Sequence, residues 1–247
     1  MRSALQLRSL TWRQLPLQVG EPRDLLAQGV ELLDRLEHDP TPTLRWYRPT
    51  RPAIVLGRGQ ARDLPASSNA GMEVLTRFSG GGAVLLAPDV LGLDVLVPAG
   101  DPFLEGDLTA VFSRVGAVWA TALSELGVQD VSVHAGAGTA RRQGDARQRL
   151  LAAVCYATLG RGEVLAAGRK LVGLAQRRRR PGALVQCGLL RRWEPAPLLA
   201  ALGAGPRDAE IEAAAVGLDD LAWPDGPAPD DTAVMHAVER SFDQTRD

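Results

Sequence analysis

Cys155 and Lys170 are the two side chains in this sequence best suited to covalent chemistry, and they lie fifteen positions apart in a chain with two cysteines and a single lysine. Of the 28 basic residues all but Lys170 are arginine. An ammonium is a compact point charge that can give up its proton during a reaction, which a guanidinium cannot, so a lone lysine is a candidate for chemistry closed to arginine. Codon bias that leaves one surface lysine by chance is the competing reading, and composition does not separate the two. A β-hairpin between Cys155 and Lys170 would bring thiol and ammonium together and favour the thiolate for attack on an acyl group. An isolated cysteine is otherwise a small buried hydrophobe. The third feature is Arg77-Phe-Ser79-Gly80-Gly81-Gly82-Ala83. Three glycines between strand-like runs let backbone approach a ligand and expose amide donors, with Arg77 and Ser79 beside them. The same triplet also suits a plain hairpin turn. It is neither a nucleotide-binding P-loop nor a dinucleotide fingerprint.

The remaining composition narrows the field. His38, His134 and His236 are scattered, and Cys155 and Cys187 have no metal-ligand spacing, so no metal site is expected. A formal net charge of -1 argues against a nucleic-acid binder, although Arg177 to Arg180 form a basic run that could face an acidic partner. No run of about eighteen apolar residues exists to span a bilayer. The first twenty residues are basic and free of acids, faintly like an organellar transit peptide, but no secretory apolar core follows; a cytoplasmic protein is expected.

These residues need a scaffold, and 247 residues suffice for one large core. Residues 22–37 carry leucines at helical spacing with Pro22 early and Pro40 closing, which predicts an amphipathic helix. Thr43–Tyr47, Ala53–Leu56, Glu73–Arg77, Ala83–Leu86 and Leu93–Val97 read as strands divided by glycine and proline turns. A helix over 105–126 presents Leu108, Val111, Phe112, Val115, Val118, Trp119, Ala122 and Leu126 to the sheet. Residues 135–148, rich in glycine and arginine, read as a mobile loop able to close on a ligand. Strands return at Leu151–Tyr156, Glu163–Ala167, Leu171–Gln176 and Ala183–Leu190, followed by helices near 195–203, 208–220 and 230–243. Strands, helix, strands and helices without regular alternation indicate α+β, mainly antiparallel. The expected division is a catalytic domain over 1–192 with a helical extension over 193–247 packed on it.

Three strings in order resemble one family. RFSGGGAVLLAPDVLGLDV is similar to the R-x-S-G-G-G-A-V-x-H motif of the lipoate-protein ligase and octanoyltransferase superfamily; GEVLAAGRKLVGLAQRRRRPGALVQCGLL resembles its E-x-G-K/R-K-(L/V)-x-G-x-A-Q-R…Q-H-G segment, and AIVLGRGQ its early Gly-x-x-Gln strand. The resemblance implies the biotin/lipoyl protein ligase fold, related to class II synthetase cores. It makes Lys170 the lysine that contacts and polarises the acyl carbonyl or an acyl-adenylate phosphate. Arg77, Ser79, Gly80, Gly81, Gly82 and Ala83 would line an acyl tunnel, with Gly173, Gln176 and Gln186 on its far wall. Cys155-Tyr156 stands where the octanoyltransferase branch has its Cys-Phe pair, making Cys155 the acyl-accepting nucleophile. Leu86 and Cys187 replace the two histidines of the pattern.

The resemblance therefore implies transfer of an octanoyl or lipoyl group, without cofactor, from an acyl-carrier protein or acylated lipoyl domain to a lysine of a lipoyl-carrier domain. Neither a nucleic-acid nor a membrane partner is expected. The alternatives are an ATP- and magnesium-dependent lipoate ligase forming an acyl-adenylate, and a non-catalytic acyl-binding relative, which the two replaced histidines suit.

Overall fold

A computed structural model describes residues 11–60, 71–136, 138, 145–224 and 226–246. In chain order its elements are β1 (Arg13–Gly20), α1 (Pro22–Arg35), β2 (Thr43–Pro49), β3 (Ala53–Leu56), β4 (Glu73–Thr76), β5 (Val84–Leu86), β6 (Val90–Pro98) and α2 (Ala110–Glu125). They continue through β7 (Val131–Val133), α3 (Ala146–Ala153), β8 (Val164–Ala166), β9 (Arg169–Arg179), β10 (Gly182–Leu190), α4 (Ala196–Ala201), α5 (Ala209–Ala214) and α6 (Asp231–Asp243). One seven-stranded sheet runs β1-β2-β6-β10-β9-β8-β7, and a three-stranded sheet runs β4-β3-β5. Pairing is antiparallel except at β1-β2 and β3-β4. The α+β expectation is thus met, with helices on both sides of a mainly antiparallel sheet. Among the described residues no helix is long and apolar enough to cross a membrane.

Strand alternation sorts the large sheet into two faces. On one, Leu91, Leu93 and Val95 of β6 and Val185, Cys187 and Leu189 of β10 form the main core with Val111, Val115 and Trp119 of α2. Val234, Ala237 and Phe242 of α6 belong to that same core, and the Phe242 ring meets Trp12 at 4.9 Å. The other face packs against α1 and the small sheet and holds the candidate site.

Several elements differ from their expectation. β1 lacks a sequence signal because it is an edge strand, mostly half-buried or exposed, whose register with β2 shifts between Leu15 and Gln18 around Pro16, a residue with no N–H for the ladder. The strand expected over Leu151–Tyr156 is instead the end of α3 followed by a 3-10 turn at Cys155–Ala157. A short apolar run does not distinguish helix from strand; the deciding signal is Asp145, whose carboxylate accepts from Gln148 N at 2.8 Å. The loop expected over 135–148 accordingly ends at Asp145, while residues 137 and 139–144 lie outside the described residues. The second helix starts at Ala110, after Asp107 caps Thr109 N at 2.7 Å, and leaves Leu108 63% exposed rather than in the core. The helix expected over 208–220 stops at Ala214, and Val216 N then donates to Lys170 O at 3.0 Å, so this extended stretch braces β9.

Beneath α1 lies a buried ion pair. Arg45 Nη1 is 2.6 Å from Asp94 Oδ2, with both side chains at most 2% exposed, and the remaining Arg45 donors reach Gln18, Gln28 and Leu25 O. Asp94 Oδ1 has no hydrogen-bond partner, and burial pushes the carboxyl up to about 6 despite the neighbouring guanidinium. A carboxyl raised in the fold favours the native state below its unfolded titration and loses that contribution as pH rises through about 6. Asp94→Asn leaves Arg45 buried without its ionic partner and is destabilised overall, but its deficit relative to the native chain should shrink between pH 4 and 7, by up to about 3 kcal/mol. Parallel unfolding curves across that range would show that Arg45 fully compensates the charge.

Candidate active site

The triglycine bend is held by its own arginine. Arg77, at the end of β4 and 7% exposed, donates from Nε and Nη2 to Gly80 O at 3.1 and 2.8 Å and from Nη2 to Gly82 O at 2.8 Å. Ser79 Oγ donates to Gln186 Oε1 at 3.0 Å and so ties the bend to β10. Gln60, from the early Gly-x-x-Gln string, reaches the same region through Nε2 to Ala153 O at 2.9 Å.

Backbone contacts bring Cys155 to this bend. Ala83 N donates to Ala153 O at 2.6 Å and Cys155 N to Ala83 O at 2.9 Å, a short bridge between glycine loop and cysteine turn. A side chain at Gly82 would place its Cβ 2.6 Å from Cys155 N and 2.9 Å from Ala153 O, whereas one at Gly80 meets nothing within 4 Å. Gly82→Ala is thus expected to destabilise the fold by about 1–3 kcal/mol and to slow alkylation of Cys155, while Gly80→Ala leaves both nearly unchanged. Equal effects of the two substitutions would refute this account of the bend.

Lys170 reaches the cysteine from the β8–β9 hairpin, whose turn has positive φ at Ala167 (48°) and Gly168 (74°). Cys155 sits on the separate 3-10 turn, so no single hairpin joins the two residues as the sequence suggested. Strict alternation would send Lys170 to the α2 face with Val172 and Leu174. The pairing of β8 with β9 skips Leu171, and this irregularity turns Lys170 back toward Cys155. Its ammonium lies 2.5 Å from Glu163 Oε1, 2.9 Å from Cys155 O, 3.1 Å from Thr158 O and 3.9 Å from Cys155 Sγ, with the side chain 1% exposed. Three oxygen acceptors match the three N–H bonds of an ammonium, so the sulfur feels its charge rather than a donated proton. Glu163, which the sequence reading did not single out, is itself 4% exposed and accepts from Gly160 N at 2.7 Å.

Tyr156 closes the arrangement. Its hydroxyl donates to Gly188 O at 2.7 Å, its ring stands 5.0 Å from the Lys170 ammonium, and burial holds its hydroxyl well above the usual range, hence neutral. The ring needs a groove in the sheet, which glycines supply. Gly92, Gly188 and Gly173 face one another across β6, β10 and β9. A Cβ at Gly173 would stand 3.2 Å from the Tyr156 ring, and one at Gly92 would overlap the Tyr47 ring at 2.2 Å.

Above this floor lies a small apolar cavity of about 70 Å³, partly open to solvent, whose walls include Leu26, Val55, Val84 and Leu86. Cys155, Arg77, Gly173 and Gln186 of the expected residues also border it, and Lys170 stands directly behind Cys155. Gln176 is turned away. Its amide, oriented to satisfy both ends, pairs with Leu108 O at 3.0 Å and Arg178 Nε at 3.1 Å on the α2 side. Cys187 contributes only to the border of the cavity, because its side chain belongs to the core under α2 beside Trp119; burial pushes its thiol far up and keeps it protonated. Leu86, at the first replaced histidine, is a buried apolar wall residue. Among the described residues no group of three or more His, Cys, Asp or Glu side chains is placed to hold a metal ion.

Comparison with known proteins gives a consistent answer. A family model described as the lipoyl protein ligase A/B catalytic domain matches residues 21–220. A protein named octanoyltransferase LipM from Moorella thermoacetica is 33% identical over 183 residues, covering 72% of this chain and 64% of the relative. Another of that name, from Kyrpidia tusciae, is 31% identical over 201 residues, covering 78% and 70%. The chain thus spans slightly under two thirds of the first relative. The crystal structure of a lipoate-protein ligase A bound with ATP superposes with a TM-score of 0.70 at 20% identity, covering 95% of this chain and 85% of that one. At that identity the likeness establishes the fold.

Proposed function

The chain belongs to the lipoyl protein ligase A/B catalytic-domain family, and from that premise we propose that it is an octanoyl or lipoyl transferase working through an acyl-Cys155 intermediate in the cytoplasm. The observation that carries this reading is the Lys170 ammonium 3.9 Å from the Cys155 sulfur at the edge of an apolar cavity. The octanoyltransferase names of the two sequence relatives point the same way.

Cys155, as a thiolate beside the Lys170 ammonium, attacks the thioester carbonyl of an acylated carrier protein or acylated lipoyl domain. A bond forms between its sulfur and the carbonyl carbon, the bond to the donor sulfur breaks, and the donor leaves as a thiolate that takes a proton from solvent. The aliphatic tail rests against Leu26, Val55, Val84 and Leu86. The amine of a lysine on a lipoyl-carrier domain then attacks the acyl-Cys155 carbonyl. The carbon–nitrogen bond forms, Cys155 leaves as a thiolate, and the nitrogen releases a proton to solvent. The Lys170 ammonium, held by its three oxygen partners, acts in both steps through its charge. No ATP or metal enters either step. We further assign Arg180, exposed at the turn between β9 and β10, to contact with an acidic carrier surface; its neighbour Arg179 is already paired with Asp34 at 2.5 Å.

Intact-mass analysis after mixing with octanoyl-carrier protein tests the reading. A gain of one octanoyl group, labile to hydroxylamine and located on Cys155, is expected without ATP. Adenylate formation from ATP, magnesium and lipoate with no acyl-enzyme would establish the ligase instead, and a label on Cys187 would overturn the assignment of the nucleophile.

A further inference from the structure

Lys170 is held by more than its own chain. Glu163 begins the run into β8, is 4% exposed, and places Oε1 2.5 Å from the Lys170 ammonium. Both its oxygens are engaged, Oε2 by Gly160 N at 2.7 Å and Oε1 additionally by Leu174 N at 3.4 Å, so the carboxylate is fixed to β9 and to its own turn. Its own amide and carbonyl are bonded to Gly160 O and His134 N at 3.2 and 2.9 Å, which leaves its backbone no freedom either. A buried carboxylate so constrained lets the ammonium stand in one place only. It also cancels part of the positive field that the thiol at 3.9 Å from that ammonium would otherwise feel.

The other charged or titratable groups facing Cys155 are few. Arg77 borders the same cavity but is turned onto the carbonyls of Gly80 and Gly82, and Tyr47 and Tyr156 stay neutral because burial raises both hydroxyls. The balance of charge at the sulfur is therefore set chiefly by Lys170 and Glu163. That balance matters for exchange between two thiols. A thiolate stabilised too strongly is abundant but a weak nucleophile, since nucleophilicity falls as proton affinity falls. We propose that Glu163 is a positioning residue for the transfer reaction, fixing the Lys170 ammonium beside Cys155 and tempering its field so that the sulfur stays reactive toward a donor thioester.

This inference rests on the transferase reading, and its test separates the two. The pH–rate profile of iodoacetamide alkylation at Cys155, with Cys155→Ala as blank, needs no substrate. Glu163→Gln keeps an oxygen near the ammonium but removes the negative charge, so its profile should move to lower pH. Acyl transfer from octanoyl-carrier protein should fall about tenfold in kcat with KM for the donor little changed. Glu163→Asp, which retains the carboxylate, should restore the alkylation profile and part of kcat. A Glu163→Gln profile that superimposes on the native one, or moves to higher pH, would overturn the proposal even if activity fell, because a merely structural loss would leave that profile in place. If Glu163→Gln does not fold, Glu163→Asp carries the test: its alkylation profile should stay with the native one while kcat falls severalfold, because the shorter carboxylate holds the ammonium less well, and a native kcat or a displaced profile overturns the proposal. Absence of any transfer by the native protein would sink the transferase reading, while the alkylation profiles would still decide the role of Glu163.

Discussion

Cys155→Ala is expected to lower acyl transfer by at least about a thousandfold, because removing the nucleophile leaves only binding and orientation to act on the thioester. The effect should be chemical rather than structural. Cys155 is anchored through its backbone, with N donating to Ala83 O and O accepting from the Lys170 ammonium, and alanine preserves both contacts. The melting temperature should therefore stay near that of the native chain while the acyl-enzyme mass disappears. Cys155→Ser sharpens the experiment: a trapped, hydroxylamine-resistant acyl ester with slow release to the acceptor would separate the first step from the second. Transfer by Cys155→Ala at a native rate would remove covalent catalysis through this residue.

Lys170→Arg should cost about a hundredfold in turnover, the size of loss seen when a preorganised charge is displaced from a reacting centre. A positive charge is conserved in this substitution, so its failure would come from shape. The ammonium occupies a buried point 2.5, 2.9 and 3.1 Å from three oxygens, a place for a compact charge that the larger planar guanidinium fork does not match. Lys170→Met removes the charge altogether and leaves Glu163 buried without its partner, so unfolding should cost roughly 3–5 kcal/mol less. Single-turnover formation of acyl-Cys155 by Lys170→Arg measures the first step directly. Full native turnover in that variant would remove lysine from the mechanism.

Much of the scaffold was readable because its patterns are strong. The leucines of α1, the apolar runs of β6 and β10 and the glycines between strands follow from burial and turn chemistry that act locally. The approach of Cys155, Lys170 and the glycine bend was anticipated through resemblance and a supposed hairpin, while the actual means are a register irregularity in β9 and a backbone bridge at Ala83. Neither leaves a mark in residue types. Glu163 is one of many acids in the chain, and only its place in space shows that it is buried against an amine. Gln176 was within reach of simple reasoning, since three positions from Gly173 along a strand puts it on the opposite face, where it is found. The helix before Cys155 was lost for the opposite reason, a short apolar run that suits either periodicity.

The placement of Cys187 under α2, with its sulfur directed to the face of β10 opposite Cys155, bears on how the protein withstands oxidants. A peroxide that converts the Cys155 sulfur to a sulfenic acid finds no resolving thiol within the chain, because the intervening sheet would have to open before an internal disulfide closed. Recovery then depends on a small external thiol entering the acyl cavity, and an occupant of that cavity would shield the sulfur from both injury and repair.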